Sequence, residues 1–202
     1  MVNDEVRPEL PKKLYDRIEE DVVKLHIELE LSIPVRPSDI ARRLGFIVRK
    51  FSDIASYDND MMSEFRKGND GKRRDGLSYY DPGEKTYVIW INDLDTFYEE
   101  HDEFTIMHEI GHIRMGHRGD SQLAEMIANY YAAYTLVPSP LASLYKCSSF
   151  IDICDVFEVS IDCAYNCWKR CMNWSMYFGL RKQYEKDLRD YYEKKMEGGQ
   201  CL

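Results

Sequence analysis

The chain has 202 residues, of which 44% are hydrophobic and 31% are charged. This length and composition suit one domain with a hydrophobic core and exclude fibrous and wholly disordered proteins. Lysine and arginine total 27 against 36 acidic residues, and the formal net charge of −9 argues against a dedicated nucleic-acid-binding protein. We expect the acidic surface to interact with basic partners.

No sequence signal for secretion or for a membrane is present. The first residues, MVNDEVRPELPKK, have no apolar stretch after their charges, and no window of about 18 uninterrupted apolar residues occurs. We therefore expect a cytoplasmic protein without a membrane partner, whose six cysteines are reduced thiols.

The apolar pattern predicts an α+β protein whose first half contains a small sheet. Residues 11–31 carry apolar side chains at three- and four-residue steps, which predicts an amphipathic helix, and a short second helix begins at Pro37 and ends at Gly45. Runs of β-prone residues, with a turn sequence between the last two, predict a three-stranded sheet with a hairpin, at residues 46–51, 76–80 and 86–92. The basic run 66–74 is expected to be solvated or to gate a substrate beside the sheet.

After residue 92 the chain is predicted to be helical. Helices are expected near residues 100–116, 120–137, from 138 onward, 149–157 and 160–177, and the last segment is expected to be a surface helix that frays. Without an internal repeat, we predict that residues 1–202 form a single domain. Its parts are a core at 11–138, a helical end segment at 139–178 and a surface tail at 179–202.

Residues 104–112, FTIMHEIGH, contain most of the candidate metal-binding and catalytic residues. His108 and His112 lie four residues apart on one helical face, with Cβ atoms about 5–6 Å apart, so both imidazoles can bind one ion such as zinc. Glu109 can face a water molecule in the open metal position and take its proton, which is the general-base role in metalloproteases. The alternative is an ordinary helix with polar residues.

A catalytic zinc takes three protein ligands and leaves a fourth position for water, so a third ligand is needed. The metzincin pattern requires a histidine six residues after His112, where this chain has Arg118, and it is rejected. The gluzincin solution uses a glutamate on the next helix, and Glu125 lies thirteen residues after His112, beyond a turn that would let the helix fold back. Asp120 and His117 are the alternatives if the loop folds otherwise.

The segment 104–138 resembles the ImmA/IrrE family of metallo-endopeptidases. In that family a Phe-Thr-x-x-His-Glu-x-Gly-His helix is followed by a glutamate, an Ala-Asn pair, a Phe-Ala-Ala-like run and a Leu-x-x-Pro end; residues 125–138 here read EMIANYYAAYTLVP. The resemblance covers about 33–172 and ends in a helix-turn-helix-like segment. Family members often carry a second acid where this chain has Ile127, which favours Glu125 as the ligand.

The resemblance implies a zinc-dependent endopeptidase, with the small sheet packed on a zincin-type helix pair and a helical C-terminal half. Zinc would be held by His108, His112 and Glu125, with Glu109 as the catalytic base and carboxylates orienting the two imidazoles. Small members are typically encoded on phages and mobile elements, where they cleave a helix-turn-helix transcriptional repressor. The implied partner is such a repressor, without direct nucleic-acid binding, and the edge of the sheet is expected to receive it as an added strand.

Other candidate residues have ordinary structural roles as alternatives. His117, Tyr130 and Tyr131 could line the cleft or stabilise the oxyanion, although a histidine just past a helix end is more often solvated. A stripe of cysteines at four-residue steps could bind a soft metal, but without a Cys-x-x-Cys pair we expect it to pack as small hydrophobes. Its members are Cys163, Cys167 and Cys171.

The rival function is a non-catalytic, zinc-stabilised binding module whose segment 150–172 engages a protein or DNA. Glu109 argues against it, because a structural zinc site has no use for a base and closes all four positions with ligands. The acidic net charge argues against the DNA version.

Overall fold

The computed structural model describes residues 10–55, 74–94, 99–119 and 121–199, so most of the basic run 66–74 lies outside it. The helices are α1 (Lys12–Glu28), α2 (Pro37–Arg43), α3 (Ser52–Ala55), α4 (Glu99–Met115), α5 (Gln122–Leu136), α6 (Ser139–Leu144), α7 (Phe150–Phe157), α8 (Ile161–Asn173) and α9 (Gln183–Glu197). The strands are β1 (Ile47–Lys50), β2 (Gly76–Asp81) and β3 (Thr86–Ile91). The predicted α+β class and the three strands are confirmed.

The three strands form a mixed sheet in the order β1-β3-β2. β2 and β3 pair antiparallel, with Gly76 opposite Ile91, and form the predicted hairpin, whereas β1 pairs parallel to β3. Asp81 stabilises the hairpin turn, because its Oδ1 accepts a hydrogen bond of 2.8 Å from the main-chain N–H of Gly83. β2 is an edge strand of this sheet, and both β2 and β3 contact α4.

The helices α4 and α5 pack directly against each other. Gly111 permits this close approach, because a Cβ atom there would lie 3.1 Å from Cβ and 3.2 Å from Cγ of Tyr131. Ser121 caps α5, with its hydroxyl accepting a hydrogen bond of 3.1 Å from the main-chain N–H of Ala124. This fixes the beginning of α5, whose first turn carries Glu125.

The helix α1 packs on α5 and α9 and buries Ile18, Val22 and Leu25. His26 is also fully buried: its Nδ1 lies 2.9 Å from the hydroxyl of Tyr192, and its Nε2 lies 3.0 Å from the main-chain oxygen of Thr135. Burial lowers the pKa of His26 to about 4, so it is neutral near pH 7.

Two element boundaries differ from the prediction. The apolar stripe of residues 11–31 runs past the helix, because α1 ends at Glu28, Glu30 takes a left-handed conformation with φ 47°, and Leu31 is nevertheless buried. At the other end of the chain, α8 gives way to a π-helical turn, Trp174–Phe178, instead of continuing to residue 177. Within the described residues, every helix is too short or too polar to span a lipid bilayer.

Candidate metal centre

Three side chains suited to binding a metal converge at the α4–α5 contact. His108 and His112 come from successive turns of α4, and Glu125 comes from the first turn of α5. The Nε2 atoms of the two histidines are 2.9 Å apart, and the carboxylate oxygens of Glu125 lie 3.3 Å and 3.2 Å from them. Among the described residues, no other set of three His, Cys, Asp or Glu side chains is arranged closely enough to hold an ion.

The separation of these atoms fits a tetrahedral metal ion. Zinc bonds of about 2.0–2.1 Å place neighbouring tetrahedral ligands about 3.3 Å apart, close to the three distances in the cluster. Burial alone would lower the pKa of His108, but the hydrogen bond to Glu125 and the charge of Glu109 outweigh it, and the pKa is raised. The hydrogen bond to His108 correspondingly lowers the pKa of Glu125. The cluster therefore favours a positive charge at its centre.

Each imidazole is oriented by a second hydrogen bond. Nδ1 of His108 lies 3.1 Å from Oδ1 of Asn129, and Nδ1 of His112 lies 3.0 Å from Nδ1 of His117. An amide oxygen only accepts, so Nδ1 of His108 donates, and Nε2, which faces Glu125, is the nitrogen that would bind a metal after giving up its proton. Burial lowers the pKa of His117, so its neutral ring can accept from His112 in the same way. An amide and an imidazole thus occupy positions where the sequence predicted carboxylates.

Glu109 lies beneath the edge strand β2. Its Oε2 accepts a hydrogen bond of 2.7 Å from the Ser78 hydroxyl, and only 7% of the residue is exposed. Burial raises the pKa of Glu109, although the Ser78 hydroxyl and His108 oppose the shift. A buried carboxylate with a raised pKa beside two histidines is suited to accepting a proton.

Gly76 lets β2 approach Glu109 this closely. A Cβ atom at this position would lie 2.6 Å from Cγ2 of Thr105, 3.1 Å from the main-chain oxygen of Trp90 and 3.2 Å from Oε1 of Glu109. Any larger residue must therefore displace the Thr105 side chain, the strand or the carboxylate.

A cleft of about 1900 Å³ contains the whole cluster and Glu109. One wall is formed by β2, including Ser78 and Tyr80, and the opposite wall extends along α5 and α8 to Tyr130 and Arg170. The cleft thus has the volume to hold a peptide segment and is bordered by the strand β2.

The other predicted site residues do not all lie in the cleft. His117 and Tyr130 line the cleft, but the Tyr130 hydroxyl already donates to Oε1 of Glu19 at 2.6 Å. Tyr131 is fully buried, and its hydroxyl donates to Oδ2 of Asp21 at 2.7 Å. The alternative ligand Asp120 lies outside the described residues.

The cysteine stripe does not form a three-ligand metal group in the described residues. The sulfur atoms of Cys163 and Cys167 are 3.9 Å apart, whereas Cys171 contacts the Ser139 hydroxyl at 3.7 Å. All three are free thiols, and they pack against the hydrophobic core as expected.

Sequence reasoning gave no role to Ser78, Asn129 or Gly76. Asn129 had a detectable signal, because it lies one helical turn after Glu125 and therefore on the same face of α5. Ser78 and Gly76 had none, because their contacts with Glu109 depend on how the hairpin docks on α4.

A comparison with protein families supports a peptidase. The family model Peptidase_M78, described as an IrrE N-terminal-like domain, matches residues 63–161, which include His108, Glu109, His112 and Glu125. The comparison with curated proteins gives no match. The family indicates a metallopeptidase, with a metal ion as cofactor and a protein as substrate. Residues 63–161 of this chain are thus similar to the Peptidase_M78 family of IrrE N-terminal-like domains, in agreement with the resemblance of its central motif.

Proposed function

We propose that the chain is a zinc-dependent endopeptidase in which His108, His112 and Glu125 bind zinc and Glu109 is the catalytic base. The observation that carries the proposal is the convergence of these four side chains in one cleft. Two imidazoles and one carboxylate are a typical catalytic zinc set, because they leave one position open. Zinc bound there would polarise the scissile carbonyl and acidify a water molecule.

In this proposal, side chains of the protein accept and return the proton. Glu109, held by the Ser78 hydroxyl, accepts a proton from the attacking water and returns it to the leaving amine. His117 is the candidate for contacting the oxyanion, because it lines the cleft. Tyr130 also lines the cleft, and it could take this role only if its hydroxyl left Glu19. Tyr131 is not proposed for this role, because its hydroxyl is bound to Asp21 in the core.

The substrate is proposed to bind as an added strand along β2. This strand lies at a sheet edge and borders the cleft, so its outer main-chain groups are positioned to pair with an extended peptide. The arrangement would correspond to a zincin-type packing of a small sheet on the helix pair α4–α5. Proline at Tyr79 or Tyr80 should then raise KM.

The proposed substrate is a helix-turn-helix transcriptional repressor of a phage or mobile element, cleaved in the cytoplasm. The family resemblance supports this substrate, and the net charge of −9 is suited to steering a basic DNA-binding protein. Cleavage should therefore slow as ionic strength rises, and a rate indifferent to salt would contradict the steering.

The experiment combines zinc analysis with cleavage of a co-encoded repressor. Glu109→Gln should retain zinc and lose cleavage, whereas His112→Ala should lose both. Glu100→Gln, an exposed position on the same helix, is the matched control and should retain both. Cleavage by Glu109→Gln at the wild-type rate would refute the mechanism.

The rival function, a zinc-stabilised binding module, lacks a supporting observation. The helices α7 and α8, which form the helix-turn-helix-like segment, carry Asp152, Asp155 and Asp162 and so do not offer a basic face to DNA. Removal of zinc by a chelator separates the two functions. A catalytic site should lose activity with the fold retained, and a structural site should unfold.

A further inference from the structure

Arg170 places a partly buried positive charge in the wall of the cleft. It comes from α8 and lines the same cleft as the metal centre. Its Nη2 donates to the main-chain oxygen of Ala133 at 3.1 Å and to that of Val137, both near the C-terminal end of α5. Its Nε is inaccessible and has no hydrogen-bond partner in the described structure. Capping the end of α5 thus uses only one nitrogen of the guanidinium.

No carboxylate of the described residues pairs with this guanidinium. Its closest electrostatic neighbours are thiols and phenols, with the rings of Tyr130 and Tyr134 centred 5.6 Å and 5.4 Å from Cζ. Burial raises the pKa of both tyrosines well above the usual value, so they are neutral near pH 7. Glu19, which Tyr130 contacts, is already paired with Nζ of Lys182 at 2.7 Å. The nearest side-chain groups are the thiols of Cys167 and Cys171; contact with Cys163, together with Arg170, lowers the pKa of Cys167 to about 6. A carboxylate remains the preferred ligand of a guanidinium, and the described residues supply none here.

The position of Arg170 relative to the metal centre suits a peptide substrate. Ala133, which Arg170 contacts, follows Glu125 by eight residues on α5, a rise of about 12 Å. An extended peptide covers that distance with roughly four residues. Asp162, also in the cleft wall, is exposed, so water and salt screen its charge.

We infer that Arg170 is a specificity-determining residue that binds an aspartate or glutamate side chain of the substrate, about four residues from the scissile bond. The inference rests on the proposed endopeptidase function and names a preference of that same cleft. The substrate carboxylate would form a charge-assisted hydrogen bond with the part of the guanidinium that lines the cleft. The substrate would thus combine an overall basic surface with one local acidic residue.

The test is a cleavage-site profile on a peptide library. Zinc-loaded wild type, Arg170→Gln and Lys169→Gln are incubated with peptides from a digested proteome, and the cleaved bonds are identified by mass spectrometry. Lys169 is the matched control, because it removes a neighbouring exposed charge that lies over the Tyr165 ring and outside the cleft wall. Wild type and Lys169→Gln should enrich acidic residues at one position three to five residues from the cut, and Arg170→Gln should not.

A pair of synthetic peptides that differ only by glutamate or glutamine at that position gives the magnitude. The glutamate peptide should have about tenfold higher kcat/KM with wild type, mainly through KM, and the difference should vanish with Arg170→Gln. Arg170→Lys keeps the charge and should keep part of the preference, which covers the case that the glutamine variant fails to fold. Cleavage without acidic preference, or a preference that Arg170→Gln retains, would overturn the inference alone. No cleavage of any peptide would overturn the proposed function and the inference together.

Discussion

Replacement of Gly76 by alanine tests whether the position of the edge strand sets the activity of Glu109. The new Cβ would lie 2.6 Å from Cγ2 of Thr105, a separation that real Cβ atoms do not show, and 3.2 Å from Oε1 of Glu109. The Thr105 side chain, the strand β2 or the carboxylate must therefore shift. Overpacking of this kind costs about 1–3 kcal/mol of unfolding free energy, which lowers Tm by roughly 2–12 °C in a chain of this size.

Activity should fall more than stability suggests, because the Ser78–Glu109 hydrogen bond of 2.7 Å depends on the same strand. A shift of about 1 Å in a catalytic group can reduce the rate about 100-fold. The assay measures Tm by calorimetry and kcat with a cleaved peptide. Thr105→Ser removes the Cγ2 methyl group and keeps a hydroxyl, so the double variant should regain part of both quantities.

Gly198→Ala is the control for the general effect of adding a methyl group. Its Cβ would meet only main-chain oxygens at ordinary contact distance, 3.4 Å and 3.8 Å, and it lies far along the chain from the cleft. This variant should leave kcat unchanged. A Gly76→Ala protein with wild-type Tm and kcat would show that the strand does not position Glu109.

Three further predictions concern the core and the ligand shell. His26 has a folded-state pKa of about 4, below its unfolded value near 6.5, so its contribution to stability is complete above pH 6.5 and is lost as the pH falls towards 4. The loss is about 3 kcal/mol, and urea unfolding of His26→Gln between pH 7 and pH 4 should show a shallower decline than wild type. In Gly111→Ala the new methyl group should press on the Tyr131 ring and push α4 away from α5, which lowers stability by about 1–3 kcal/mol. Calorimetric titration should then show weaker zinc binding; unchanged zinc affinity would refute the idea that the spacing of the two helices sets it. His117→Ala should weaken zinc binding about 10- to 100-fold in a chelator competition without loss of fold, because it removes the partner of His112 at 3.0 Å.

Local sequence rules predicted the elements well, and they predicted that His108 and His112 share one helical face. The four-residue spacing of His108 and His112 is a property of one helix, and the turn sequence before Thr86 specifies a hairpin. Glu125 required only that α5 fold back on α4, which the short connection between them favours.

These rules could not predict contacts between segments that lie far apart in the sequence. Ser78 lies 31 residues before Glu109, and their hydrogen bond exists only because Gly76 lets the strand dock on the helix. The partners of the imidazoles show the same limit: the sequence predicted carboxylates there, but packing supplied Asn129 and His117. Periodicity also missed the end of α1, because apolar burial continues after the helix has ended.

The buried contacts of His26 bear on how this protein can be shortened. Its imidazole joins α1 to the main-chain oxygen of Thr135 on α5 and to Tyr192 on α9. The family-matched segment 63–161 contains α5 but neither α1 nor α9. A fragment cut to that segment would lack α1, and the apolar residues of α5 that pack on α1 would be exposed to water. We expect such a fragment to aggregate on expression. A shortened protein for crystallisation or substrate screening should therefore keep both flanking helices.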